Sequence, residues 1–206
     1  MDDKGIILLT GYEAFADFKV NPSIAACMRL NNKTFNGYKV VVEEIPMRFG
    51  EVKDVIEGHV DQYKPAAVIS TGVSSDGACI KLERVAINVT TANGASKEEQ
   101  LPEGKPIREG GPVGYFSTLP LWKLLECLKK AEIPTVISNS AGTFGCNLVF
   151  YQLLDYLDRK GLNIPAGFIH VPRLPEQALD GKSPSMTLDL TTYALNVVVG
   201  MISNDL

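Results

Sequence analysis

The chain has 206 residues, 45% of them hydrophobic, with a formal net charge of −4 and a pI near 5.3, which suits one domain with a substantial core. This acidic balance argues against a nucleic-acid partner, because such proteins usually carry a basic patch or stripe. The apolar run near the N-terminus, GIILLT, is too short for a signal peptide or a membrane span, so we expect a soluble, intracellular protein with no membrane partner.

The predicted elements alternate between strands and helices. Continuous apolar runs predict buried strands, and apolar residues at helical spacing predict helices. In the first half of the chain we expect a strand at Gly5–Thr10, a helix from about Ser23 to Leu30, a strand at Tyr38–Met47, a helix at Val52–Tyr63, a strand at Ala66–Gly72 and an extended segment at Cys79–Thr90. In the second half we expect a helix at Leu121–Lys130, a strand at Thr135–Ser138, a helix from Cys146 to Gly161, a strand at Ala166–Val171 and a C-terminal helix at Thr187–Ser203.

This alternation predicts an α/β fold with a mostly parallel central sheet covered on both faces. Residues 1–206 are expected to form a single domain, since nothing in the composition marks a second one. The stretch from Thr91 to Gly114 is rich in glycine, proline and charge, and long loops of this kind are usually functional or mobile. No internal repeat and no phosphate-binding glycine motif occurs in the chain.

The four cysteines are Cys27, Cys79, Cys127 and Cys146. None is part of a Cys-x-x-Cys pair and the chain has two histidines, so we expect neither a structural zinc site nor any other metal site. A disulfide framework is not expected in a chain of this size and class. The ordinary role of each cysteine is that of a small buried hydrophobe.

Cys146 is different because it opens a helix after the turn AGTFG, in the stretch NSAGTFGCNLVFY. Open α/β sheets place their ligand sites at the carboxyl ends of strands, and the positive end of a helix dipole stabilises a thiolate. The flexible backbone before Cys146 would offer N–H groups to an oxyanion. The alternative is a packing residue, because Cys146 also lies on the apolar stripe of its helix.

A nucleophilic cysteine needs a base, normally histidine. His170 follows GFI near the carboxyl end of its strand, the sheet edge at which we also expect Cys146, whereas His59 falls beside the apolar face of a helix and is expected at the edge of the core. Glu83 is an acid among apolar strand residues, and such acids are rarely buried without a partner. It would orient His170, or else lie at the surface beside Arg84 or Lys81.

Several segments together resemble the pyroglutamyl peptidase I family, also called pyrrolidone-carboxylate peptidases. They are AGTFGCNLVFY, GFIHVPRLPEQ, LERVAIN, GYFSTLP and the N-terminal GYEAF…NPS. They occur in the family's order and spacing, and they span nearly the whole chain. The resemblance implies a single three-layer α/β/α domain.

The resemblance also implies a cytosolic thiol protease that removes N-terminal pyroglutamyl residues from peptides, needs no cofactor and assembles as a homotetramer. The family's catalytic motifs fall on Cys146 as nucleophile, His170 as base and Glu83 as acid. Its substrate-binding positions fall on the aromatic walls Tyr12, Phe15 and Phe144, on Asn21, and on Val73, where the family usually has glutamine.

Further departures surround the expected pocket. Gly77 and Asn93 stand where arginines are usual, and Met47 stands where threonine is common. These changes bear on rate and specificity more than on fold. Two other functions remain open from the sequence: an amidase of the same mechanism that acts on a different small N-acyl or lactam group, and a non-catalytic binding module that keeps the fold.

Overall fold

A computed structural model describes residues 4–14, 20–48, 50–91 and 104–206. Its strands are β1 (Gly5–Tyr12), β2 (Thr34–Phe35), β3 (Tyr38–Ile45), β4 (Ala67–Ser74), β5 (Ile80–Glu83), β6 (Val85–Ile87), β7 (Gly114–Phe116), β8 (Thr135–Ser138) and β9 (Ala166–Pro172). Its helices are α1 (Pro22–Met28), α2 (Val52–Tyr63), α3 (Leu121–Lys130), α4 (Gly145–Lys160) and α5 (Leu188–Asp205), with a 3-10 turn at Pro175–Gln177.

The main sheet has the order β2-β3-β1-β4-β9-β5-β8. Strands β3, β1, β4 and β9 are parallel to one another, which confirms the predicted mostly parallel sheet. Strand β5 runs antiparallel to β9, and β8 runs parallel to β5. Strands β5 and β8 therefore run in the opposite direction to β3, β1, β4 and β9.

Helices cover both faces of this sheet, and the alternation of side chains along each strand divides the core into two clusters. One cluster joins α1, α3 and α5 to strand residues such as Ile7, Leu9 and Ile69. The other cluster joins α2 and α4 to the alternate strand residues, such as Leu8 and Val68, which point to the opposite face of the sheet. The result is the three-layer α/β/α arrangement that the resemblance implies.

The predicted helix after Cys146 is confirmed, and its apolar stripe packs Val149, Leu153 and Leu157 into the second cluster. It ends as predicted at Gly161, which adopts the left-handed conformation with φ 65°. A glycine suits this cap because it has no Cβ to oppose positive φ.

The extended prediction for Cys79–Thr90 is only partly right. The chain divides at Arg84, so that β5 joins the main sheet while β6 pairs with β7 in a separate two-stranded ribbon. The short strands β2 and β7 were not predicted, because two- and three-residue strands give no recognisable alternation. None of the helices in the described ranges has the length and apolarity of a membrane span.

Candidate active site

His170 and Glu83 meet on the face of the sheet that α4 covers. Glu83 lies opposite Phe168 in the antiparallel pairing of β5 with β9, so it is the diagonal neighbour of His170 on the same face. The distance between His170 Nδ1 and Glu83 Oε1 is 2.8 Å, and the Glu83 side chain is fully buried. A buried carboxylate that contacts Nδ1 leaves Nε2 as the nitrogen available to a reacting group.

The surface alternative for Glu83 is therefore wrong. Lys81 forms an ion pair with Asp76 at 2.5 Å instead. The hydrogen bond from Lys81, ahead of one from Ser74, lowers the pKa of the Asp76 carboxyl to about 2. Glu83 has His170 as its partner because it lies on the buried, α4-covered face of β5.

Cys146 belongs to the first turn of α4, above the strands that carry the histidine. Gly72 of β4 lies beside His170 in the parallel register. A Cβ at Gly72 would lie 2.8 Å from Cys146 Sγ and 2.8 Å from Phe168 Cζ. The sulfur therefore packs against the backbone of Gly72, where any larger residue would collide with it. This places Cys146 next to β4 and β9, the second of which carries His170.

The route of the chain to Cys146 differs from the expected one. If the strand that precedes Cys146, β8, set its position, Cys146 would lie at the carboxyl end of β8. However, β8 runs against β9, and its last residue, Ser138, lies level with Glu83. It is the segment from Asn139 to Phe144 that crosses back to the carboxyl edge of β4 and β9. Cys146 therefore lies beside β4 and β9, but it is not the carboxyl end of β8 that places it there.

The electrostatics of His170 show that these groups interact. Burial by itself lowers the pKa of the imidazole, but the charge and hydrogen bonding of Cys146, followed by the bond and charge of Glu83, outweigh burial and raise the pKa to about 9. A raised pKa means that Cys146 and Glu83 together favour the imidazolium form of His170.

The first turn of α4 is fixed by two contacts that the sequence did not reveal. Tyr12 O–H donates to the Gly145 carbonyl at 2.5 Å. Asn147 is fully buried, accepts from Ile87 N–H at 2.9 Å and donates to the carbonyls of Ile87 and Val89. Both residues flanking Cys146 are therefore tied to other elements.

Helix α4 begins without a side-chain cap. The first N–H groups of a helix have no acceptor within it, and they carry the positive end of the dipole. The turn around Gly145 and Cys146 therefore presents backbone donors at the cysteine. This is the arrangement of groups that stabilises an oxyanion.

A cavity of about 240 Å³ opens beside Cys146. Four of the five predicted pocket residues line it, namely Tyr12, Asn21, Val73 and Phe144. Phe15 and Asn93 lie outside the described residues. The other lining residues are Val20, Pro22, Met47, Ser75, Gly145, Arg173 and Gln177. The sequence did not single out Arg173 or Gln177, although both occur in the GFIHVPRLPEQ segment.

Two of the predicted pocket residues have additional structural tasks. Asn21 caps α1, since its Oδ1 accepts from Ser23 N–H at 3.0 Å and from Ser23 Oγ at 2.8 Å. Its amide Nδ2 donates to the Glu13 carbonyl at 3.2 Å. The Tyr12 hydroxyl is buried, and burial, ahead of the Cys146 charge, holds its pKa well above the usual range. Tyr12 therefore acts as a neutral hydrogen-bond donor.

The remaining cysteines and the second histidine lie elsewhere. Cys27 is on α1, in the cluster on the other face of the sheet. Burial, partly offset by a hydrogen bond with Thr71, raises the pKa of its thiol to about 12, so Cys27 is unreactive near neutral pH. His59 is half-buried on α2 and its ring neighbours Tyr63, as expected for a core-edge residue. Within the described ranges no His, Cys, Asp and Glu cluster is arranged to hold a metal ion.

The chain is similar to known peptidases along nearly its whole length. Residues 5–205 match the family model described as pyroglutamyl peptidase. The pyrrolidone-carboxylate peptidase of Bacillus licheniformis is 40% identical over 93% of this chain and 89% of its own. The enzyme of that name from Thermococcus kodakarensis is 36% identical over 97% of both chains.

Solved structures give the same result. The crystal structure of pyroglutamyl peptidase I from Bacillus amyloliquefaciens matches with a TM-score of 0.93 and 36% identity, over 98% of each chain. A mutant pyrrolidone carboxyl peptidase from the hyperthermophile Pyrococcus furiosus matches with a TM-score of 0.92 and 35% identity, over 98% of this chain and 99% of that one. On this sequence and structural similarity, the chain belongs to the pyroglutamyl peptidase family of cysteine peptidases.

Proposed function

We propose that this protein is a cysteine exopeptidase that removes an N-terminal pyroglutamyl residue from peptides. The observation that carries the proposal is the alignment of Cys146, His170 and buried Glu83 beside an apolar cavity. Family membership supplies the substrate class. The comparisons give no support to an amidase of different specificity or to a non-catalytic binding module.

In the proposed reaction the Cys146 thiolate attacks the carbonyl carbon that joins the pyroglutamyl ring to the next residue. The carbonyl oxygen becomes an oxyanion, which the N–H groups at the start of α4 stabilise. His170 holds the proton taken from the thiol and gives it to the leaving amine, so the C–N bond breaks and a thioester remains. Water, deprotonated by His170, then attacks the thioester and releases pyroglutamate.

Glu83 has a supporting role in this scheme. Its carboxylate contacts Nδ1 at 2.8 Å, which fixes the imidazole orientation and stabilises the imidazolium that forms during proton transfer. Replacing it by glutamine would keep the shape and remove the charge. The expected loss in kcat is smaller than the loss on removing the nucleophile or the base.

The cavity walls suit a small, largely apolar ring. Tyr12, Val73 and Phe144 would enclose the lactam. Asn21 would contact the ring amide, since its Nδ2 carries a second hydrogen besides the one donated to Glu13. Small-ligand sites gain affinity from such close apolar walls with a few polar groups.

The deciding experiment follows release of the fluorophore from pyroglutamyl-7-amido-4-methylcoumarin. The unmodified protein should turn over this substrate, and Cys146→Ser should have no measurable rate while keeping its circular dichroism spectrum. Cys127→Ser, on α3 at the other face of the sheet, is the matched control and should retain full activity. Turnover by a folded Cys146→Ser variant would exclude this mechanism.

The assembly and location of the protein are also part of the proposal. We infer a cytoplasmic homotetramer from the family resemblance. Exposed aromatic side chains support self-association, because Phe116 and Trp122 are 71% and 64% exposed and line the same surface depression. Light scattering should give four times the chain mass, and a Phe116→Ser, Trp122→Ser variant should give a smaller species. A monomeric mass for the unmodified protein would exclude the tetramer.

A further inference from the structure

Arg173 brings a positive charge to a cavity that is otherwise lined by uncharged groups and the Cys146 thiol. Among the described lining residues it is the one with a permanently ionised side chain. The proposed acyl group of the substrate is an uncharged lactam, so Arg173 has no charge to pair with on that side. A guanidinium in the cavity beside Cys146 would favour a ligand that carries a negatively charged group.

The backbone on both sides of Arg173 is held in place. Met186 N–H donates to the Arg173 carbonyl at 2.9 Å. The next residue, Leu174, donates its N–H to Gln177 Oε1 at 3.0 Å. Gln177 then donates from Nε2 to the carbonyl of Val20 at 2.8 Å, and Val20 also lines the cavity. The base of the arginine side chain is therefore fixed relative to the pocket.

Among the described residues, the Arg173 guanidinium has no ion-pair partner within 4.0 Å. The arginine ion pairs within the described ranges are formed by Arg29, Arg48, Arg108 and Arg159. Asp180 lies near Arg173, but the pKa of its carboxyl is lowered to about 2 chiefly by the N–H groups of Ser183 and Lys182, with Arg173 the last of the causes. Arg173 thus keeps hydrogen-bond donors for another carboxylate.

We propose that Arg173 binds the α-carboxylate of the residue that follows pyroglutamate, which makes pyroglutamyl dipeptides with a free carboxyl group the favoured substrates. This inference rests on the proposed function. Arginine offers a planar fork of donors that matches a carboxylate. In a dipeptide that carboxylate lies one residue beyond the scissile bond. Arg173 is three residues beyond His170, roughly 10 Å along extended chain, and it lines the same cavity as Cys146.

The test compares kcat/KM for pyroglutamyl-alanine with that for pyroglutamyl-alanine amide, which differ only in the terminal charge. The unmodified protein should favour the acid about tenfold, mainly through KM, and the preference should shrink as salt is added. Arg173→Gln should bring the ratio close to one. Arg173→Lys should keep part of it, since it retains the charge and loses the fork.

Lys33→Gln is the matched control, because Lys33 is exposed immediately before β2 and does not line the cavity, so its loss should leave the ratio unchanged. An unmodified protein with a ratio of one, or an Arg173→Gln variant with an unchanged ratio, would overturn the inference. So would an Arg173→Gln variant that only relieves inhibition by free pyroglutamate, since the bound carboxylate would then be that of the product. If the unmodified protein cleaves neither dipeptide nor the coumarin substrate, the proposed function fails and this inference falls with it.

Discussion

His170 is the residue on which the proposed chemistry depends most directly, and its titration tests the site without an assay. We expect its imidazole to titrate near the pKa of about 9 that the structure gives. Cys146→Ser should lower that pKa, because the thiolate that favours the imidazolium is gone while burial, which disfavours it, remains. The chain has two histidines, so NMR titration resolves them, with the signals of His59 as reference.

The sign of this change also predicts the pH profile. Below a pH of about 9 His170 keeps its proton in the folded protein, so kcat/KM should fall on the alkaline side as that proton is lost. Glu83→Gln should move this alkaline limb to lower pH, since Glu83 contributes to the raised pKa. A limb that stays in place in a folded Glu83→Gln variant would contradict the proposed role of the carboxylate.

Gly72 provides a second test at the scale of single residues. Gly72→Ala would place a methyl group 2.8 Å from Cys146 Sγ, and the thiol or the strand must then move. A displacement of about 1 Å costs roughly 10²-fold in rate at an active site, so we expect a loss of that size in kcat/KM.

The control for Gly72 is Gly58→Ala, because a Cβ at Gly58 meets nothing within 4 Å. Gly58 lies inside α2, where alanine should stabilise the helix by about 0.5–1 kcal/mol. Thermal unfolding and kcat/KM should be measured for both variants. Near-normal activity of Gly72→Ala would show that the thiol does not need this space.

At the scale of elements, the start of α4 is held against the end of β1 by Tyr12. Tyr12→Phe would keep the apolar wall of the cavity and remove the hydrogen bond to Gly145. The loss of one neutral hydrogen bond costs about 0.5–1.5 kcal/mol, so we expect up to about a tenfold fall in kcat/KM and slower alkylation of Cys146 by iodoacetamide.

Tyr38→Phe is the comparison for this change, because Tyr38 is also buried, on β3, and belongs to the cluster on the other face of the sheet. Its variant should keep the rate. Equal effects of the two substitutions would mean that Tyr12 acts through general stability and not through the position of the helix.

The elements also show where sequence-based prediction succeeds and where it stops. Helix α4 and its end at Gly161 follow from local spacing and one glycine, so they were predictable. The reversed direction of β5 and β8 was not, because strand direction depends on which distant strand each one pairs with. The Tyr12–Gly145 bond joins residues 133 positions apart, and no local pattern encodes such a contact.

The candidate site shows the same division. Cys146, His170 and Glu83 were recognised because each has an unusual residue type for its position and because the motifs match a known family. Arg173 was missed because an arginine after a strand resembles any surface charge. Its significance comes from the cavity around it, which exists only after Tyr12, Met47 and Phe144 have been brought together from distant parts of the chain.

For the whole molecule, the two core clusters share one sheet, and we propose that they unfold together as a single domain. Ile7 and Leu8 are adjacent on β1, are fully buried and point into opposite clusters. Ile7→Ala and Leu8→Ala should each cost about 2–5 kcal/mol and leave one unfolding transition. Fluorescence of Trp122 on α3 and far-ultraviolet circular dichroism should give coincident curves. Separate transitions in either variant would contradict a single domain.

The position of β9 has a consequence for the protein during its synthesis. It is the last strand along the chain, yet it lies between β4 and β5 near the middle of the sheet. A nascent chain that has emerged only as far as α4 therefore has the proposed nucleophile, Cys146, but not the proposed base, His170, and it presents two unpaired strand edges. We expect such a chain to be latent as a peptidase and to need protection from aggregation. More than four-fifths of the sequence must be synthesised before β9 and His170 can complete the proposed site.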